Sequence, residues 1–157
     1  MLRYLWLSVV VVVVDQLSKL WIDSHFALHA RVPVIEGFFD LTLAYNPGAA
    51  FSFLADAGGW QRWFFTVLAS VVSLVLVIWL KRLSSQEKVT AAALALIIGG
   101  AVGNLIDRVV HGEVIDFLLV YYRQWSWPAF NVADSAISIG VMLMLLAMFF
   151  YPQSQQE

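Results

Sequence analysis

No residue of this chain is cysteine. The chain can therefore make no disulfide, hold no iron–sulfur cluster on thiolates and offer no thiolate zinc site, so its compartment must be read from topology and not from redox chemistry. Charge is also scarce. Asp, Glu, Lys and Arg together make up 13% of the 157 residues, whereas 61% are hydrophobic; a soluble domain carries about 25% charged residues. The net charge of −2 supplies no basic field for a phosphate backbone, which argues against a nucleic-acid partner. Internal repeats and low-complexity tracts are absent, so an inverted-repeat transporter gains no support. What is present in quantity is apolar sequence, enough for one integral membrane domain over residues 1–157 and too little for a second.

Four segments have the length of a helix across the hydrocarbon of a bilayer, at about residues 4–22, 63–80, 89–106 and 132–151. The first begins like a signal peptide, with Arg3 ahead of a valine run. It lacks a small-x-small cleavage site and carries Asp15 and Lys19, so it reads as an uncleaved span. A short loop containing Lys81, Arg82 and Lys88 joins the second and third spans; the segments 23–62 and 107–131 lie on the opposite face. Lys19, Arg31, Arg62, Arg108 and Arg123 fall on that opposite side. The other basic set is concentrated at the N-terminus and in the short loop, where positive charge marks the cytoplasmic face, so both termini read as cytoplasmic. Trp21, Trp60, Trp63, Trp125 and Trp127 cluster at the outer ends of the spans, as interfacial aromatics do.

The outer segments read as a small sheet. Residues 32–35 and 38–46 flank a Glu36-Gly37 turn. In 39–46 the residues alternate, with Phe39, Leu41, Leu43 and Tyr45 on one face and Asp40, Thr42, Ala44 and Asn46 on the other, the pattern of a half-buried strand. Pro47-Gly48 ends it, and 49–55 has the character of a short helix lying on the membrane. Residues 114–119 are β-like, which places Asp116 on or just after a strand. The expected class is a membrane all-α protein with a small β element.

The acids carry the chemical interest. Asp116 lies in His111-Gly-Glu-Val-Ile-Asp-Phe-Leu118, and Asp134 in Phe130-Asn-Val-Ala-Asp-Ser-Ala136, inside the first turn of the last span. A carboxylate within a membrane helix costs about 2.5–3.5 kcal/mol or more at its centre and less near its end, and two brought together share a proton and work as acid and base. Plainer readings stand beside this one. Asn131 three residues before Asp134 suits a helix cap with an acid in the first turn, and Asp116 alone is an acceptable polar strand residue. Asp15 and Lys19, four apart, suit a structural pair. Asn104, Asp107 and Arg108 form a polar cluster at the end of the third span, either an orienting network or a helix-end anchor. Ahead of them Gly99-Gly-Ala-Val-Gly103 permits close helix approach. His25 and His29 are four apart, but no acidic third ligand stands at zincin spacing, so they read as surface residues and no metal site or cofactor is expected. Ser18 and Lys19 are adjacent on a helix and cannot face each other as a dyad. A proton-coupled transporter using the same acids, or a scaffold in which they are only caps and anchors, are the alternatives to an enzyme.

Taken together the motifs resemble those of bacterial lipoprotein signal peptidase, signal peptidase II. Asp15-Gln-Leu-Ser-Lys19, Asn46-Pro-Gly-Ala-Ala-Phe-Ser52, Gly103-Asn-Leu-Ile-Asp-Arg108, Val114-Ile-Asp-Phe117 and the run 130–136 are similar, in order, to the motifs of that family. The resemblance implies an aspartyl endopeptidase of the bacterial inner membrane with Asp116 and Asp134 catalytic and the site near the outer face. It implies four transmembrane helices, an extracytoplasmic β-cradle and a membrane-lying helix. The substrate implied is a prolipoprotein cleaved before a diacylglyceryl-modified cysteine, the partners are membrane lipid and a globomycin-type inhibitor, and the enzyme is expected to be a monomer. Asn46, Gly48, Asn104, Arg108 and Asn131 are then expected to orient or bind substrate, and Asp15 and Lys19 to be structural.

Overall fold

The computed structural model describes residues 1–48 and 59–150. After a 3-10 turn at Leu2–Tyr4, the chain forms α1 (Leu5–His25), β1 (Arg31–Ile35), β2 (Phe39–Asn46), α2 (Trp60–Arg82), α3 (Lys88–Val110), β3 (Val114–Tyr122), β4 (Trp125–Ser126) and α4 (Val132–Phe150). All four α-helices are long and apolar enough to cross a membrane.

Helix α3 is the centre of the bundle and packs on α1, α2 and α4. Its small residues make this possible. A Cβ on Gly99 would stand 2.9 Å from Ser8 Cα of α1, and one on Gly103 would stand 2.7 Å from the Asp15 carboxyl. On the other side a Cβ on Gly100 would run into the Ala133 carbonyl of α4, and one on Gly140 would lie 2.7 Å from the Ala93 carbonyl. The glycine run therefore draws α1 and α4 onto the same helix, within hydrogen-bonding reach: Ser8 Oγ donates to the Ala95 carbonyl at 2.6 Å. Helix α2 touches α3 and leaves Phe64, Val67, Val71, Leu74 and Ile78 exposed, an apolar surface suited to lipid.

The strands form one antiparallel sheet in the order β1-β2-β3-β4. Leu43, Ile115 and Phe117 pack with Ile22 of α1, which seats the sheet on the bundle. A register shift between Leu41 and Ala44 puts Ala44 opposite Asp116. Beyond β4 the chain returns to β3, where Phe130 exchanges backbone hydrogen bonds with Leu118 at 2.8 and 3.0 Å. That bridge lays Asn131 alongside Asp116 and starts α4 beside the sheet.

Two expectations need adjustment. The alternation of β2 does not give one buried and one open face. Asp40, Thr42 and Leu43 are all buried and Tyr45 is exposed, because the bulge interrupts the two-residue period and Tyr121 Oη donates to Asp40 at 2.9 Å. Helix α3 runs to Val110, so Asp107 and Arg108 belong to the helix and not to the outer segment. Gly112, at φ +89°, ends it by letting its own N–H and that of His111 turn back to the Asp107 carbonyl. The short helix expected at 49–55 lies outside the described residues.

Candidate active site

The polar residues of the bundle gather where α1, α3, α4 and β3 meet. Lys19 lies 2.8 Å from Asp15 Oδ2, as their spacing predicts, and also 2.8 Å from Asp107 Oδ2. Asp107 Oδ1 accepts from Gln16 Nε2 at 2.8 Å. All three charged groups are at most 1% exposed. Such a buried group of ions is tolerable only when its donors and acceptors are satisfied, and this one is an ordered ionic knot between α1 and α3.

Asp116 and Asp134 are held differently, by neutral amides. Asn131 Nδ2 donates to Asp116 Oδ1 at 2.7 Å, and Asn46 Nδ2 donates to Asp116 Oδ2 at 3.0 Å. Asn46 is two residues beyond Ala44, on the same strand face, and so reaches back to the acid opposite Ala44. Asn104 Nδ2 donates to Asp134 Oδ1 at 2.8 Å. Asn131 also caps α4. Its Oδ1 accepts from Asp134 N–H at 2.9 Å, while Asp134 Oδ2 accepts from Asn131 N–H at 3.3 Å, a reciprocal box. Finally, Asn131 Nδ2 reaches Asn104 Oδ1 at 3.2 Å. Two asparagines thus link the two acids in one continuous network.

Burial pushes the Asp116 carboxyl up to about 7, and the charge of Asp134 adds to the rise. The amides of Asn46 and Asn131 and the charge of Lys19 pull the other way without cancelling it. At neutral pH Asp116 therefore sits near half-protonation, where an acid–base group is most useful. Asp134 is half-buried and accepts a backbone N–H at the start of its helix.

A family model for signal peptidase (SPase) II matches residues 7–150. The chain belongs to the signal peptidase II family. The lipoprotein signal peptidase of Pseudomonas syringae pv. tomato is 56% identical over 149 residues, covering 94% of this chain and 86% of that protein. That of Ectopseudomonas mendocina is 54% identical over 157 residues, covering 99% and 93%. A bacterial membrane enzyme solved by the in meso method at 2.3 Å is similar over 100% of this chain and 93% of its own, with TM-score 0.85 and 30% identity. A second, at 1.9 Å, has TM-score 0.83 and 30% identity over 96% and 95%. The chain is thus a multi-pass membrane peptidase of the signal peptidase II family.

Within this signal peptidase II fold, Asn46, Asn104 and Asn131 converge on the two acids. Gly48 stands at the rim, where its N–H donates to Asn46 Oδ1 at 2.9 Å and fixes that amide. Its φ of +99° requires glycine, and a Cβ there would lie 2.6 Å from the Phe65 ring. Arg108 lies over the other part of this wall, its guanidinium 5.4 Å from the Phe65 ring centroid and its Nη1 donating to the Asn104 carbonyl at 3.2 Å. His25 is engaged with the Trp21 carbonyl and stacks on the Trp21 ring, away from this network. Sequence reasoning put Asp107 in a polar cluster with Asn104 and Arg108 but not with Lys19, and left Gln16 and Arg62 out. Gln16 carried a signal, since it lies inside the motif between Asp15 and Lys19. Arg62 carried none. It caps the end of α3 from another helix, donating to the carbonyls of Arg108 and Val109, both at 2.8 Å.

Proposed function

We infer that this protein is an aspartyl endopeptidase that removes the signal peptide from diacylglyceryl-modified prolipoproteins, cutting before the lipidated cysteine. The observation that carries this reading is the amide network itself: Asp116 and Asp134 are linked through Asn104 and Asn131, and Asp116 sits near half-protonation. The names of the 54–56% identical relatives support the substrate class.

In the proposed reaction Asp134 is ionised and Asp116 protonated. Asp134 takes a proton from water, whose oxygen attacks the scissile carbonyl carbon, while Asp116 gives its proton to the carbonyl oxygen. The tetrahedral intermediate then collapses. Asp134 returns its proton to the leaving nitrogen, the C–N bond breaks, and Asp116 recovers the hydroxyl proton. General acid–base assistance of this kind contributes about 10²–10⁴-fold; positioning by the three asparagines and the charge of Arg108 supply more. No metal and no covalent intermediate are required. Both termini face the cytoplasm, which puts the sheet and the two acids on the outer side of the inner membrane, and a globomycin-type cyclic peptide would compete for the same site.

The test is cleavage of a diacylglyceryl-modified lipopeptide by purified enzyme in detergent. Asp116→Asn and Asp134→Asn should each abolish cleavage while the protein still expresses and inserts, because an amide cannot take up or relay the proton. Retention of more than a few per cent of activity by either variant in a pure preparation sinks the pair.

A further inference from the structure

Lys19 has no part in the reaction just described, yet every proton of its ammonium has an acceptor. Asp15 Oδ2 and Asp107 Oδ2 stand at 2.8 Å and Asn104 Oδ1 at 3.0 Å. An ammonium has three protons to give, and all are used. What these acceptors hold in turn is specific. Asp15 Oδ1 accepts from the Ala133 N–H at 2.9 Å, and Asp107 Oδ2 from the Ile115 N–H at 3.1 Å. Ala133 is the residue before Asp134, and Ile115 the residue before Asp116. The third acceptor, Asn104, donates to Asp134 and accepts from Asn131, which donates to Asp116.

We propose that Lys19 is a positioning residue for the acid pair, anchoring the backbone before each acid through Asp15 and Asp107 and fixing the orientation of the Asn104 amide between them. With Oδ1 of Asn104 held by the ammonium, its NH2 group must face Asp134; turned over, it would set donor against donor. One buried cation thereby fixes both carboxyls and the polarity of the amide that connects them. The role rests on Asp116 and Asp134 being the reacting groups. The charged groups facing that pair are Asp15 and Lys19 from α1, Asp107 and Arg108 from α3, and the two acids themselves from β3 and α4; α2 contributes Arg62, bound to the Arg108 carbonyl.

The experiment uses the full chain in detergent with a diacylglyceryl-modified lipopeptide, kcat being expressed per folded molecule from near-UV circular dichroism. Lys19→Met leaves two buried carboxylates without a cation and will be less stable. Lys19→Met combined with Asp15→Asn and Asp107→Asn removes that imbalance and keeps carbonyl oxygens for the Ala133 and Ile115 N–H groups. The combined variant should regain stability but not rate: kcat about 10²-fold below the starting enzyme with KM nearly unchanged, and a displaced pH profile. Wild-type kcat per folded molecule in either variant overturns the proposal and makes the ionic knot structural only. Asp116→Asn, run alongside, tests the pair itself. Its inactivity beside active Lys19 variants removes the positioning role alone; its full activity removes the pair. A measurement on the unaltered enzyme covers variants that do not fold. The chain has three lysines, Lys19, Lys81 and Lys88. With nitrogen-15 lysine, the Lys19 ammonium signal should exchange slowly and shift in step with the pH–rate profile; a signal unmoved across that profile overturns the coupling.

Discussion

Two sets of carboxylates lie side by side in this bundle, and they are built in opposite ways. Asp15 and Asp107 face an ammonium, and their oxygens are occupied by Lys19, Gln16 and backbone N–H groups. Asp116 and Asp134 are hydrogen-bonded to neutral amides and to one backbone N–H, with no ion pair among the described residues. The first set is an ionic contact that ties α1 to α3. In the second set burial raises the Asp116 carboxyl to about 7, which suits the proton transfer proposed for it. Asp15, Asp107 and Asp116 are all buried, so what separates the two sets is the charge of the partner.

Breaking the neutral network should cost rate first. Asn131→Ala removes the donor to Asp116, the link to Asn104 and the cap on Asp134 N–H. It should lower kcat by about 10²-fold through lost positioning and destabilise by about 1–3 kcal/mol as a cap and a buried partner are lost. Steady-state kinetics with thermal melts would show both; normal kcat with a large drop in melting temperature would place Asn131 on the structural side of the comparison. A smaller effect is expected at the rim. Gly48→Val puts a branched side chain at φ +99° and against Phe65, whose ring underlies Arg108. Backbone strain of this kind costs about 1–3 kcal/mol, and activity should fall as Asn46 loses its anchor. Unchanged activity would mean that the Asn46 contact to Asp116 is dispensable.

Much of this contrast was legible in the sequence. Asp15 and Lys19 stand at helical spacing, Asn131 and Asp134 at capping distance, and the glycine run before Asn104 announces a tight helix contact; each is a local pattern with a local cause. The spans were legible because twenty apolar residues have few other uses, though the first three were set short, as at α3, where Gly112 ends the helix from beyond the apolar run. What sequence could not give is tertiary. Asp107 joins Lys19 only because α3 lies against α1, Arg62 caps a helix distant in the chain, and the bulge after Leu41, with Tyr121 bonded to Asp40, breaks the simple alternation of β2. None of these has a short-range signal.

The central claim, one mobile proton between Asp116 and Asp134, is tested most directly by the pH dependence of kcat/KM for a lipidated peptide, measured with and without EDTA. A general acid works only while protonated, so the rate must fall as pH rises through the Asp116 value of about 7. It must also fall at low pH, where Asp134 takes up a proton, and the limbs belong to the pair and not to either residue. The account predicts a bell whose falling limb lies near neutrality and which EDTA leaves unchanged. A rate still rising well above neutral pH, or one lost to EDTA and restored by zinc, would contradict it.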